Sequence, residues 1–354
     1  MRKLISLLLV LSVVLLSACG EKNEEITTTE TTTEITTQIT TTEVTTTEAT
    51  TIPTTEKATE TTNEITETTR LSATTEPTNA PIPEGMSTIS KNSKSIYGKN
   101  TGTSKTYTGL EPLEKVVLPV VDKDNLKGLS EQRRGHSYGV SVNGVPHENS
   151  VNNQALYGQY NGICLDTSGK KVIYLTFDCG YENGYTSKIL DVLKAKKVPA
   201  AFFVTLPYLK SAPEVAARMI KEGHIVGNHS DTHPDFSKIS RTQMAKEIEN
   251  VDNYLRTNFG YSAPYFRFPQ GAHSESALDL VNNAGFKAVF WSSAYADWDT
   301  SNQKGKQYAF DTVTARLHPG CVLLLHAVSK DNAEALGDII DYAREQGYSF
   351  QQLP

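Results

Sequence analysis

A chain of 354 residues allows one large domain or two small ones, since domains usually run about 100–200 residues. Its net charge of −6 is unevenly spread: thirteen Glu against Lys22, Lys57 and Arg70 give residues 21–85 a net of −10, Arg2 and Lys3 add +2, and the remainder is left near +2. A near-neutral body argues against nucleic acid as a partner, and four cysteines in this length argue against a disulfide scaffold.

Met1-Arg2-Lys3 gives a positive start, and Leu4 to Leu16 is an apolar run broken only by Ser6 and Ser12. It is shorter than the roughly 20 apolar residues a bilayer span needs and fits a secretory signal. Leu16-Ser17-Ala18-Cys19-Gly20 resembles a bacterial lipoprotein cleavage box, which implies a signal peptide over 1–19 and lipidation of Cys19. The expected location is extracytoplasmic, with the membrane as a partner through that lipid. Residues 27–80 are dominated by Thr with interspersed Glu and by Pro53 and Pro77. Such a segment cannot bury enough apolar surface to offset its ordering entropy. It reads as a disordered, self-repelling stalk within a linker over 20–104. Residues 105–170 hold short apolar runs such as Val116 to Val121 and read as a segment packing on the main domain, 171–354. Buried free thiols are expected at Cys164 and Cys321.

From Lys171 the pattern becomes regular. Lys171 to Phe177 is apolar and β-branched, and reads as a buried strand. Ser187 to Lys196 has helical spacing, Ala200 to Thr205 is a strand, and Pro213 to Glu222 is a helix with Pro at its start. His224 to Gly227 is a short strand. Thr242 to Phe259 is an amphipathic helix with Met244, Ile248, Val251 and Leu255 on one face. Strands are read at Tyr265 to Phe268, Phe286 to Ser292, Val322 to His326 and Ser349 to Leu353, with helices at Ser276 to Ala284 and Asn332 to Glu345. Strands alternating with helices predict an α/β fold with a parallel sheet, open or closed into a barrel.

Polar residues collect where those strands end: Asp178, His229, Arg267, Asp297 and His326. In a β/α barrel these ends converge on one face, where catalytic groups gather. His229 and His233 are four apart and would share a face if that stretch were helical, so both imidazoles could take one metal.

The order of these residues adds a resemblance. Thr176-Phe177-Asp178-Cys179-Gly180, His229-Ser230-x-x-His233, Arg267-Phe268-Pro269-Gln270-Gly271, Asp297-Trp298 and Leu323-Leu324-Leu325-His326 are similar to the five ordered motifs of the polysaccharide deacetylases. That group is also known as the NodB-homology group, carbohydrate esterase family 4. The stretches Tyr181 to Thr186, Asn302 to Gly305 and Ser329 to Leu336 resemble its branch of delta-lactam-forming muramic acid de-N-acetylases. The resemblance implies a distorted (β/α) barrel and hydrolysis of an N-acetyl group on a cell-wall glycan, with peptidoglycan as the partner. It implies Asp178 as the base acting on a metal-bound water, held ionised by Arg267. It implies His229 and His233 as ligands of a divalent metal, zinc before others of the first transition row. His326 is the implied general acid, supported by Asp297, and Trp298 the implied pocket wall. Tyr181, Glu182 and Asn183 are placed beside the substrate pocket.

One position departs from the family pattern. Cys179 stands where the family usually has a second aspartate that binds the metal. It could ligate as a thiolate, which would favour zinc. It could be a bystander, or the site could have lost its metal. Ligation needs an ionised sulfur aimed at the metal. The intact base, histidines, Arg267 and His326 argue against a dead site. Two other functions stay open: a deacetylase acting on chitin or N-acetylglucosamine, and a catalytically silent glycan-binding lipoprotein. His224, His273 and His318 read as packing or surface histidines, and His136 and His147 could rim a groove.

Overall fold

The computed structural model describes residues 90–91 and 94–354. The expected signal peptide, Cys19 and the Thr-rich stalk lie outside them. No helix of the described residues is long and apolar enough to cross a membrane.

Two short strands, Ser90–Lys91 (β1) and Lys94–Ser95 (β2), pair antiparallel. The main sheet holds seven parallel strands: Val172–Cys179 (β3), Ala201–Val204 (β4), Ile225–Asn228 (β5), Tyr265–Phe266 (β6), Lys287–Ala288 (β7), Cys321–His326 (β8) and Ser349–Phe350 (β9). Their order is β7-β6-β5-β4-β3-β8, and β9 pairs with the start of β3. Every residue of β3 is buried, as expected of a strand covered on both faces. The sheet curls. Beyond β7 the chain leaves regular pairing: Phe290 N donates to Ile163 O and Ser292 N to Val322 O, while Ser293 bridges in parallel to Leu323. This stretch links the β7 edge to β8 and makes the distorted barrel. The expected strand over Phe286 to Ser292 is therefore only two residues long, because its later amides are diverted to these partners.

Eight helices cover the described chain: Glu148–Gly158 (α1), Thr186–Lys196 (α2), Leu206–Ser211 (α3), Pro213–Lys221 (α4), Arg241–Phe259 (α5), Glu275–Asn283 (α6), Lys306–Thr314 (α7) and Lys330–Glu345 (α8). Local chemistry sets their ends. Ser240 and Gln243 form a capping box on α5, which stops at Gly260 in the left-handed region. Ser329 caps α8 by accepting from Asn332 N. Helices α1, α3 and α7 were not legible in the pattern. The α3 helix is six residues with Pro in its first turn, and α1 and α7 are only weakly amphipathic.

The segment before residue 171 is a strap across the barrel. Asn253 of α5 grips Val116 at both its N–H and its C=O, at 2.8 Å each. Arg134 pairs with His273, and His136 N donates to Gly271 O. The expected linker through residue 104 is corrected at its end. Ile96 is buried, its carbonyl takes Ser262 N, and Gly98 N donates to Gly260 O. Cys164, Cys179 and Cys321 are all buried free thiols.

Candidate active site

The barrel interior holds a buried cation. Arg267 follows β6, is fully buried, and lies with its guanidinium carbon 4.0 Å from the centroid of the Phe203 ring. A charge in such a place is expensive unless every donor is engaged. Nη1 donates to Asp178 Oδ1 at 2.8 Å, Nη2 to Thr176 Oγ1 at 3.0 Å, and Nε to Val289 O at 3.0 Å. Thr176 and Asp178 are two apart on β3, so they face the interior together. Burial works against the Asp178 carboxylate, but Arg267 first, then His229 and His326, outweigh it and hold its pKa below the usual value. Asp178 is thus an anion at neutral pH.

His326 ends β8 and is the register partner of Asp178. Neighbouring strands lie about 4.8 Å apart, so the two side chains leave the sheet side by side. His326 Nδ1 bonds Asp297 Oδ1 at 2.7 Å, and its backbone N–H donates to Oδ2 of the same carboxylate at 2.7 Å. Burial disfavours the imidazolium, yet the Asp297 charge and hydrogen bond, helped by Asp178, raise its pKa above the ordinary histidine value. Asp297 is itself fixed by Asn332 Nδ2 at 2.5 Å, and Asn332 Oδ1 accepts from Tyr295 OH at 2.5 Å. The base is therefore poised ionised and the acid poised protonated, each by its own partner.

His229 follows β5, and its Nδ1 bonds Arg267 O at 2.9 Å. Its Nε2 lies 3.5 Å from Asp178 Oδ2. The His233 ring meets that of His229 edge to face, with centroids 4.9 Å apart. The helical premise for this pair is overturned. Ser230 (φ 71°) and His233 (φ 60°) are left-handed, and the stretch is a loop. It is tied by Ser230 N to Asn228 Oδ1 and by His233 N to Ser230 Oγ. The loop, not a helix face, brings the rings together. Burial lowers the pKa of both imidazoles, that of His229 to about 4, so both are neutral near pH 7.

These groups open on one cavity of about 630 Å³, lined by Asp178, His229, His233 and His326 with Gly180, Tyr181, Gln270, Trp291, Trp298, Leu324 and Val328. Trp298 and Tyr181 stand at its mouth with 60% and 51% of their surface exposed, free to meet a ring face.

Residues 166–289 match the family model described as polysaccharide deacetylase. The peptidoglycan-N-acetylmuramic acid deacetylase PdaA of Bacillus subtilis is 44% identical over 214 residues, which is 60% of this chain and 81% of that one. The chain belongs to the polysaccharide deacetylase family. A chitooligosaccharide deacetylase of Bradyrhizobium is 33% identical over 53% of this chain and 92% of its own. The solved structure of Bacillus subtilis PdaA, a family 4 carbohydrate esterase, superposes with a TM-score of 0.60 at 42% identity, covering 63% of this chain and 96% of that one.

Deacetylases of this family depend on a metal in general. Two neutral imidazoles fit a divalent ion as donors. Among the described residues, however, no three His, Cys, Asp or Glu side chains form a metal-binding group. Cys179 does not complete one. It alternates with Asp178 along β3, so its sulfur faces away from the cavity, fully buried in the hydrophobic core. Burial first, then the charges of Asp178 and Glu182, push its thiol well above the usual pKa. Of the three roles open to Cys179 in this deacetylase, the geometry agrees with the bystander.

Glu182 and Asn183, expected beside the substrate pocket, are not among its lining residues. Glu182 takes Gly184 N at 2.7 Å, Thr186 Oγ1 at 2.5 Å and Tyr208 OH at 3.0 Å. Asn183 Nδ2 donates to Val328 O at 2.9 Å, holding the loop after His326. Both carry turn and loop chemistry. His136 is half-buried beneath the wall, with Nε2 on Trp291 O at 2.7 Å, and His147 caps α1. His224, His273 and His318 are buried. Sequence reasoning assigned no role to Gln270 or Asn332, although both lie inside quoted motifs.

Proposed function

We propose that this family member hydrolyses the N-acetyl group of peptidoglycan N-acetylmuramic acid. The observation that carries the reading is Asp178 beside His326 on neighbouring strands, each held in the opposite charge state by a separate partner. Amide hydrolysis needs both a base and an acid, because water is a weak nucleophile and an amine a poor leaving group. Asp178 takes a proton from the attacking water as its oxygen bonds to the acetyl carbon. His326 gives the Nε2 proton to the amide nitrogen as the C–N bond breaks. Acetate and the free amine of the muramic acid residue leave, and proton return from Asp178 to His326 through solvent resets the pair. A divalent metal held by His229 and His233, zinc in our reading, would supply Lewis acidity toward the acetyl oxygen and the water. Trp298 and Tyr181 position the sugar. The PdaA name supports muramic acid as the sugar, and the Bradyrhizobium name supports a chitooligosaccharide as the second reading.

Acetate release decides between these readings. The zinc-loaded chain is offered glycan strands stripped of peptide and, separately, chitooligosaccharide. Release from the muramic strands is expected. Release from chitooligosaccharide alone moves the assignment to glucosamine. No release with zinc, cobalt or manganese makes the chain a glycan-binding lipoprotein. We further propose that Cys19 is lipidated and tethers the enzyme outside the membrane. Labelled palmitate should enter the chain and be lost with Cys19→Ala, and equal labelling of the two rejects the anchor.

A further inference from the structure

The loop between β7 and α7 carries Asp297, the partner of His326, and next to it Trp298 at the cavity mouth. It contains no helix and no strand, only isolated bridges at Val289 and Ser293. The Trp298 side chain has little to hold it. It is exposed, and its ring meets no other ring among the described residues. A side chain left free to turn must be ordered at each binding event, which costs affinity. Where this indole sits therefore depends on the backbone beneath it.

That backbone is clasped by Gln303, further along the same loop. Gln303 Nε2 donates to Asp297 O at 3.2 Å and to Asp299 O at 2.9 Å, so one amide group grips the chain on both sides of Trp298. Its Oε1 accepts from Ser329 Oγ at 2.7 Å and from Asp331 N at 3.3 Å. The partners fix which way the amide points, because a carbonyl can only accept and a backbone N–H can only donate. Both donors and both acceptor positions of the side chain are then in use. The far end of the clasp is firm. Ser329 is fully buried and caps α8 through Asn332 N, and Gly305 N ties the loop a second time to Asp331 Oδ2 at 2.6 Å. The Asp297 carboxylate is held separately, by Asn332 Nδ2 and by the backbone and ring of His326. The start of α8 thus holds the acid's partner through Asn332 and the mouth of the cavity through Gln303. We propose that Gln303 is a positioning residue for sugar binding, which fixes Trp298 by clasping the peptides on either side of it to the start of α8. The proposal rests on the reading that Trp298 positions the sugar.

The test is a double-substitution cycle on the zinc-loaded full chain. It reads KM and kcat for acetate release from peptide-free muramic strands, or from chitooligosaccharide if that alone is turned over. Gln303→Met keeps the side-chain length and removes the amide. It should raise KM roughly twofold to tenfold, the worth of one ordered aromatic contact. The alkaline limb of kcat should stay in place, because the bond between Asp297 and His326 is untouched. Trp298→Ala should raise KM at least as much, and adding Gln303→Met to it should change KM no further. Gln303→Glu keeps the acceptor toward Ser329 and Asp331 but offers no donor to the two carbonyls, and should raise KM as Gln303→Met does. In chain labelled with fluorotryptophan, Trp291 and Trp298 are the only tryptophans and give two fluorine lines, assigned with Trp298→Phe. Gln303→Met should shift the Trp298 line and leave the Trp291 line where it was. A KM rise of the same factor with and without Trp298, an unshifted Trp298 line, or a displaced alkaline limb at unchanged KM overturns the clasp. A KM indifferent to Trp298→Ala overturns the reading that Trp298 positions the sugar, and the proposal with it.

Discussion

Replacing Arg267 by Met keeps the length of the side chain and removes the charge. The loss leaves Asp178 buried opposite nothing and strips a donor from Thr176 Oγ1 and from the carbonyls of Val289 and Phe290. Removing one partner of such a pair costs about 3–5 kcal/mol. At about 2–4 °C per kcal/mol for a domain of this size, the melting temperature should fall by roughly 6–20 °C. The pH dependence gives a sharper check. In the wild type the Asp178 pKa is depressed, so its contribution is present above the unfolded value near about 3.9 and fades as pH falls through the folded value. In Arg267→Met, burial dominates and raises that pKa. The deficit should then shrink on acidification, as the carboxyl takes up a proton, and the acid limb of acetate release should move to higher pH. Adding Asp178→Asn to Arg267→Met should recover part of the lost stability. Thermal melts by circular dichroism across pH 4–8 read all of this. A variant melting within about 2 °C of the wild type at neutral pH, or a deficit that grows on acidification, would refute the ion-pair account.

Asp297→Asn should lower kcat by roughly 10²–10⁴, the usual worth of a positioned acid. Because Asp297 raises the His326 pKa, its alkaline limb should also shift to lower pH; a pH–rate profile that keeps the wild-type limb contradicts the dyad. Cys179→Ala should bind the same zinc per chain as the wild type by elemental analysis, since the sulfur is in the core, and a halved stoichiometry would restore Cys179 as a ligand. Gly227→Ala would put a Cβ 2.5 Å from Phe203 Cδ1 and push that ring against Arg267. We expect about 1–3 kcal/mol of destabilisation, and a calorimetric melt unchanged from wild type would show the ring has room to move.

The barrel and its polar face were legible because both rest on local pattern. The apolar run into Asp178 could only be a buried strand, and the alternation with helices forced parallel pairing. Geometry set by distant partners was not legible. Nothing near Phe286 to Ser292 shows that its amides turn to Ile163 and Val322. The four-residue spacing of His229 and His233 suggested a helix, but Asn228 and Ser230 side chains fold it into a loop, and Asn250 of α5 holds Asp231 from outside. Asn332 looked like a helix-start residue, and it is one, yet its side chain also steadies Asp297 from 35 positions away in sequence. For Cys179 the strand period already carried the answer: a residue next to an inward carboxylate points outward.

The pairing of β3 with β8 has a consequence for when the enzyme becomes active. The base is on the first strand of the sheet in chain order, and the acid is on the last but one. Contacts so far apart in sequence form late, after much loop-closure entropy has been overcome. A nascent chain therefore carries a base without an acid until residue 326 has emerged. Deacetylation is switched on by the completion of folding itself, and acetate release during refolding should report barrel closure, lagging any signal from the α2 to α5 half.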